Sequence, residues 1–169
     1  MNMCQVIHSS RLIFTIPSPQ EVVDIYALNT AFYQYAFSPS NTYEQLVHEM
    51  TKSTRYEFIA FDSSGNRIGY INGYCPVAKC HVWIQTLVVH EEYSRKGYGS
   101  EILFSFLEHL NRNFELKKVY LTCHQLNVIG NSFWKKLGFQ VIEYNIKNAY
   151  FLYNTNVRSL LCTKSLFSP

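Results

Sequence analysis

The sequence predicts an α+β fold, in which a mixed, mostly antiparallel central sheet of about seven strands carries about four helices. Three observations predict it. Two β-type runs, Arg55 to Phe61 and Arg67 to Tyr74, flank Asp62-Ser63-Ser64-Gly65-Asn66, a loop whose composition suits a hairpin, so these strands pair antiparallel. An apolar run from His81 to Val89 reads as a buried strand that passes through a polar turn and Gly97-Tyr98-Gly99 into an amphipathic helix. A second strand, Val119 to Cys123, leads into a second helix, Asn127 to Leu137.

In chain order, Arg11 to Ile16 is a short β-type run that stops at Pro17. Ser18-Pro19-Gln20-Glu21 is a capping box with proline at the first helical position, where its missing N–H costs nothing. The helix it starts buries Val22, Val23, Ile25 and Tyr26 and ends near Asn29. The next ten residues, Ala31 to Ser40, are aromatic and end in Ser-Pro-Ser, which suits a loop; Tyr33, Tyr35 and Phe37 are its candidates for a substrate wall. Asn41-Thr42-Tyr43-Glu44 offers a further helix start, running through Leu46, Val47 and Met50. After Gly99, residues Ile102, Leu103, Phe106, Leu107 and Leu110 share one side of a helix. In the later helix Ile129, Phe133, Trp134 and Leu137 do so, with Gly138 as its left-handed stop. Phe139 to Asn145 and Arg158 to Leu166 are the last strand-like runs, divided by the Asn-rich stretch Asn154 to Asn156. No repeat, low-complexity tract or linker interrupts this order, so residues 1–169 are expected to form one domain.

Composition narrows the partners. Apolar residues at 47% and charged residues at 16% describe a globular chain, and 13 Tyr with 12 Phe are enough to line a pocket as well as fill a core. A net charge of +3 with scattered Lys and Arg argues against nucleic acid and is compatible with an anionic ligand. The five cysteines, Cys4, Cys75, Cys80, Cys123 and Cys162, form no Cys-x-x-Cys, so neither a disulfide framework nor a metal site is expected. No apolar run approaches the roughly 20 residues of a membrane span. Met1 to Ser10 lacks the basic-then-apolar pattern of a secretory signal, so no membrane partner and a cytoplasmic location are expected.

The stretch from His81 to Ser100 carries the chemistry. A glycine turn at a helix head points unpaired backbone N–H groups and the positive end of the helix dipole at one spot, which suits phosphate. A dinucleotide-binding turn is excluded by order: the third glycine position holds Ile102, and antiparallel strands precede the turn.

Here the chain resembles the GNAT superfamily of acetyl-CoA-dependent N-acetyltransferases. Leu87-Val88-Val89, then His90 to Tyr93, then Ser94-Arg95-Lys96-Gly97-Tyr98-Gly99-Ser100 follows the first signature of that family, and Asn127 to Phe139 follows the second. The resemblance runs from Arg11 to Leu166 and implies a sheet splayed between the strands at 81–89 and 118–123. It implies that acetyl-CoA lays its pyrophosphate on Arg95, Lys96, Gly97, Tyr98, Gly99 and Ser100, and its pantetheine arm along Leu87, Val88 and Val89. Asn127, Phe133, Trp134 and Lys136 would line the other side of the cofactor.

The same resemblance implies an amine acceptor, attacked directly in a ternary complex, with room for a homodimer. Three residues depart from the pattern: Ser94 stands in place of Gln or Arg, Gly130 in place of Ala, and Trp134 in place of the tyrosine that serves as general acid. The family's base positions fall on Trp83 and Gln85, neither of which is a base; His81, on the same face by strand alternation, and His124 are the titratable substitutes. The catalytic candidates are therefore His81, Gln85 and Trp134, with Trp83 joining the aromatic loop in substrate binding. The aromatic loop favours a small or partly apolar amine over a polycation, and a peptide N-terminus is a further acceptor class. The competing reading is a CoA-binding sensor that has lost the chemistry.

Overall fold

The computed structural model describes residues 7–28, 48, 50, 52, 54–75, 80–145, 150–162 and 164. Among them lie strands β1 (Ile7–His8), β2 (Ile13–Thr15), β3 (Arg55–Phe61), β4 (Arg67–Tyr74), β5 (His81–Val89), β6 (Lys118–His124), β7 (Gln140–Asn145) and β8 (Tyr150–Asn156). The helices are α1 (Pro19–Leu28), α2 (Tyr98–Phe114), α3 (Val128–Lys136) and α4 (Val157–Cys162). The strands form one sheet in the order β1-β2-β3-β4-β5-β6-β8-β7. Only the β5/β6 pair is parallel; the other neighbours run antiparallel. The α+β class and mixed sheet agree with expectation, with eight strands in place of about seven.

Local chemistry explains most boundaries. The capping box closes as expected: the Glu21 N–H donates to Ser18 Oγ at 3.3 Å and the Ser18 N–H donates to Glu21 Oε2 at 2.8 Å. The hairpin between β3 and β4 turns through Gly65 at φ 82°, with Asp62 accepting from the N–H groups of Ser64 and Asn66. All five residues expected on the buried side of α2 are fully buried.

Three expectations fail. The final strand lies at Tyr150–Asn156, not within Arg158 to Leu166, where α4 instead occupies Val157–Cys162. The Asn-rich stretch is held extended because β8 is inserted between β6 and β7 and pairs along both, which outweighs the poor strand propensity of Asn. Asn156 then accepts from the Ser159 N–H at 3.3 Å, and Val157 and Leu160, three apart, bury one helical side. Second, β1 was not foreseen; two residues are too few for periodicity to register. Third, Ile129 is 62% exposed, because α3 turns Asn131 and Trp134 inward instead. Of the expected helix over 41–50 only His48 and Met50 are described, and both are helical; the rest of it and the aromatic loop with Tyr33, Tyr35 and Phe37 lie outside the described residues.

Two apolar layers cover the sheet. One joins α2 to Phe14, Phe58, Ile71, Val82, Ile84, Leu121, Trp134 and Tyr153. The other joins Val22 and Ile25 of α1 to Ile59, Tyr70 and Val88. In the first layer the ring of His109 meets Phe58 edge-on at 5.1 Å. Burial, and secondarily the charge of Arg112, pushes the His109 imidazole below its ordinary value of 6.5. As the pH falls through 6.5 the unfolded chain therefore binds a proton that the folded chain refuses, so this contribution to stability is present above 6.5 and is lost as the pH drops below it. The melting midpoint is expected to decline between about pH 7.5 and about pH 5.5, and His109→Gln to flatten that decline. Equal slopes for both proteins would refute the assignment.

Candidate active site

The site is built where β5 parts from β6. Their parallel pairing covers His81↔Lys118 to Ile84↔Leu121 and then stops, whereas β6 stays paired with β8 through His124. Among the described residues, Gln85 to Val89 therefore have β4 on one edge and no strand on the other, which leaves the backbone N–H and C=O groups of that edge facing a wedge-shaped gap. At the start of that gap β5 carries a bulge: Gly73 faces Ile84 and Asn72 faces Thr86, so Gln85 is the extra residue. The bulge reverses the facing of every later side chain. Val82 and Ile84 point into the α2 layer, but beyond Gln85 it is Leu87 and Val89 that pack there, while Val88 joins α1. Unbroken alternation, which placed His81, Trp83 and Gln85 on one face, therefore stops at Gln85, which is exposed.

β5 hands over to α2 through a short helical turn, Glu91–Tyr93, and a loop with two left-handed residues, Arg95 at φ 60° and Gly97 at φ 83°. The first helical bond is donated by the Glu101 N–H to the Gly97 carbonyl at 3.2 Å, so the N–H groups of Tyr98, Gly99 and Ser100 precede the helical ladder. Together with the exposed side chains of Arg95 and Lys96, they form an anion-suited cradle at the positive end of a 17-residue helix. Ser94 ends the preceding turn, its N–H donating to the Glu91 carbonyl at 3.0 Å, so its departure from the family pattern leaves the cradle backbone intact. Phe133 packs near Gly99, about 3.4 Å from where a Cβ would stand there, and brings α3 against the cradle.

Sequence reasoning missed the brace behind this loop. Arg11 donates from Nη1 to the Lys96 carbonyl at 3.2 Å and from Nε to Glu101 Oε2 at 2.8 Å, and its guanidinium lies 4.3 Å over the Tyr98 ring. Burial alone would raise the Glu101 carboxyl, but hydrogen bonds from Ser9 and Arg11, with the charge of Arg11, hold it below the usual carboxylate range. A carboxylate in the first turn of α2 hints at a helix-dipole role; nothing local pointed to a partner 90 residues away.

The other candidates divide into two groups. Trp83 stacks between Tyr74 at 6.5 Å and Tyr120 at 5.1 Å, and His81 meets Tyr120 edge-on at 5.4 Å, so these rings make one aromatic floor across three strands. His124 accepts the Leu126 N–H on Nδ1 at 3.2 Å. Across the gap, Asn127 caps α3, its Oδ1 accepting from the Gly130 N–H at 2.8 Å. A Cβ at Gly130 would lie 2.6 Å from that amide, which explains glycine where the family pattern has alanine. Trp134 is 8% exposed and held edge-on by Phe133 at 4.8 Å and Phe139 at 5.2 Å, a core position. Lys136, in the last turn of α3, is exposed. Among the described residues, no three His, Cys, Asp or Glu side chains gather as metal ligands.

A splayed parallel pair with a phosphate-type cradle at its open end defines a class. The sequence model of the acetyltransferase (GNAT) family matches residues 22–139, and the chain belongs to that family. The spermine/spermidine N(1)-acetyltransferase of Bacillus subtilis is 29% identical over 59 residues, which are 35% of this chain and 39% of that protein. An uncharacterised prophage N-acetyltransferase from the same species, YokL, is 27% identical over 100 residues, 59% of this chain and 56% of that protein. The chain thus spans between about two fifths and three fifths of these relatives. In overall shape it is similar to the Vibrio cholerae spermidine N-acetyltransferase crystallised with CoA and spermine, with TM-score 0.76 at 15% identity over 90% of this chain and 99% of that one. The Thermoplasma acidophilum PaiA N-acetyltransferase, crystallised with coenzyme A, superposes with TM-score 0.70 at 18% identity over 86% and 98%. Among the described residues, no helix is long and apolar enough to cross a membrane.

Proposed function

We propose that this chain, acting as one domain, is an N-acetyltransferase that moves an acetyl group from acetyl-CoA to a primary amine by direct attack in a ternary complex. The observation that carries the reading is the continuity of the two halves of the site: the open edge of Gln85 to Val89 runs straight into the cradle of Arg95 to Ser100. Acetyl-CoA supplies the activated acetyl thioester when bound. The residues present fit it: the unpaired backbone of β5 is the partner an amide-bearing pantetheine arm requires, and the left-handed loop with Arg95 and Lys96 suits a pyrophosphate. N–H groups on the open edge are fixed donors of the kind that stabilise an oxygen on which charge develops.

The two buried thiols among the described residues are poor nucleophiles for a covalent acetyl-enzyme. Cys123, on the splayed strand β6, is pushed up to about 11 by burial, and Cys75 is also raised by burial, so neither is a thiolate near neutral pH. His81 is the imidazole of the aromatic floor beside Trp83, and we assign it, through a chain of waters along that floor, the proton released by the amine. Trp134 contributes packing, and positioning of the reactants supplies much of the rate. The relatives that carry polyamine names support an amine acceptor.

The test is to follow free thiol from acetyl-CoA with spermidine, 2-phenylethylamine and a dipeptide bearing a free N-terminus. Amine-dependent thiol release with formation of the N-acetylated amine is expected. CoA binding without turnover of any amine would replace the enzyme with a CoA-responsive binding module.

A further inference from the structure

A buried polar cluster lies on the α1 side of the sheet. Glu57, Tyr70 and Asn72 are 7%, 0% and 2% exposed, and the Arg55 side chain is 7% exposed. Tyr70 Oη donates to Glu57 Oε2 at 2.6 Å, while Arg55 Nη2 stands 3.3 Å from the same carboxylate oxygen and 3.2 Å from Tyr70 Oη. A phenol has one proton, and here the carboxylate takes it. The contact between Tyr70 Oη and Asn72 at 2.9 Å can therefore only be donated by the Asn72 amide nitrogen. This orients the amide and leaves Asn72 Oδ1 buried with no hydrogen-bond partner. A buried carbonyl oxygen without a donor is an unfavourable arrangement that a ligand N–H would relieve.

The position of this oxygen matters. Asn72 is in register with Glu57 on one side and with Thr86 on the other, directly beyond the Gln85 bulge where β5 leaves β6. Along β4 it shares a face with Tyr74, the outer ring of the stack that includes Trp83. Arg55 pairs with Glu57, and the acceptor oxygen that the cluster offers belongs to an uncharged amide.

We infer that Asn72 Oδ1 binds the acceptor amine, taking one N–H of the uncharged primary amine, and that Tyr70, Glu57 and Arg55 are positioning residues that fix the amide for that purpose. Burial of the cluster disfavours the charged ammonium, and an amide oxygen supplies no counter-charge to offset that cost, so the free amine with its lone pair is the form held there; the adjoining rings favour an apolar group beside the nitrogen. This inference rests on the proposed acetyl transfer.

Two full-length variants test it, Asn72→Leu, which keeps the volume but not the oxygen, and Tyr70→Phe, which frees the amide to turn. With an amine that wild type acetylates, Asn72→Leu should raise the amine KM by about tenfold or more, as expected for a lost buried hydrogen bond, and leave the acetyl-CoA KM within about twofold. Tyr70→Phe should give a smaller rise in the same constant only. Titrating 2-phenylethylamine and spermidine into the CoA complex separates the two ideas. Amine binding weakened by Asn72→Leu, without turnover by wild type, would defeat acetyl transfer and leave the binding role standing. Unchanged amine constants in both variants, a parallel rise in the acetyl-CoA constant, or no amine binding by wild type would overturn the inference. Should Asn72→Leu fail to fold, Tyr70→Phe decides.

Discussion

Gly97→Val is expected to weaken CoA binding by about tenfold or more while the chain remains folded. The left-handed conformation at φ 83° costs a residue with a Cβ roughly 1–2 kcal/mol, and a β-branched side chain more. The loop can avoid that cost by shifting, but Gly97 immediately precedes Tyr98, Gly99 and Ser100, so a shift takes the cradle N–H groups out of alignment. The Arg11 brace opposes the same movement, since Arg11 Nη2 stands 3.4 Å from where the Cβ would be. Either way, each 1.4 kcal/mol lost to strain or misalignment is a factor of about ten in affinity. Because Gly97 is exposed, the effect on melting should be small beside the effect on binding. Gly97→Asn, which tolerates left-handed backbone better, should recover part of the affinity. Calorimetric titration of CoA into the three proteins checks this, and equal affinity for Gly97→Val and wild type would remove the loop from the binding site.

Asn131→Ala should cost about 2–4 kcal/mol of folding stability, the sum of several buried groups left unpaired. Asn131 is 7% exposed, and the two N–H groups of its amide are shared among the carbonyls of His124 at 2.9 Å, Gln125 at 3.2 Å and Asn127 at 2.8 Å. Its Oδ1 accepts from the fully buried Tyr153 Oη at 2.8 Å. One side chain thus ties the end of β6, the cap of α3 and the middle of β8. Alanine leaves the Tyr153 hydroxyl and the turn carbonyls without their partner and opens a void beneath α3. Asn131→Asp should be nearly as harmful, since a carboxylate cannot donate to carbonyls. Combined with Tyr153→Phe, the loss should be smaller than the sum of the single losses, because both changes break one shared bond. Urea unfolding of wild type and the four variants tests this; a loss below about 0.5 kcal/mol for Asn131→Ala would show that the hub is dispensable.

What the sequence made legible was local. The extents of β3, β4 and β5 followed from apolar runs bounded by Gly, Asp, Asn and Pro, and the α1 start from a four-residue capping box. The cradle was readable because its working parts are backbone, and Gly97-Tyr98-Gly99 after an apolar strand advertises backbone geometry. The Gln85 bulge was hidden because residues 81–89 look equally apolar on either side of it, and only pairing with β4 shows that the facing reverses. Asn154 to Asn156 read as a break because local propensity cannot anticipate two partner strands. The Arg11–Glu101 brace and the Glu57–Tyr70–Asn72 cluster depend on register between segments distant in sequence, which composition and spacing do not encode.

The most direct test of the account is amide hydrogen exchange with and without saturating CoA. Among the described residues no strand pairs with Gln85 to Val89 on their β6 side, so the alternate N–H groups there that point away from β4, with those of Tyr98 to Ser100 ahead of the helical ladder, should exchange readily in the free protein. Slowed exchange concentrated in peptides covering 85–89 and 95–100 is the predicted result. Tight CoA binding that leaves both stretches unprotected, or protects another part of the molecule instead, would contradict it.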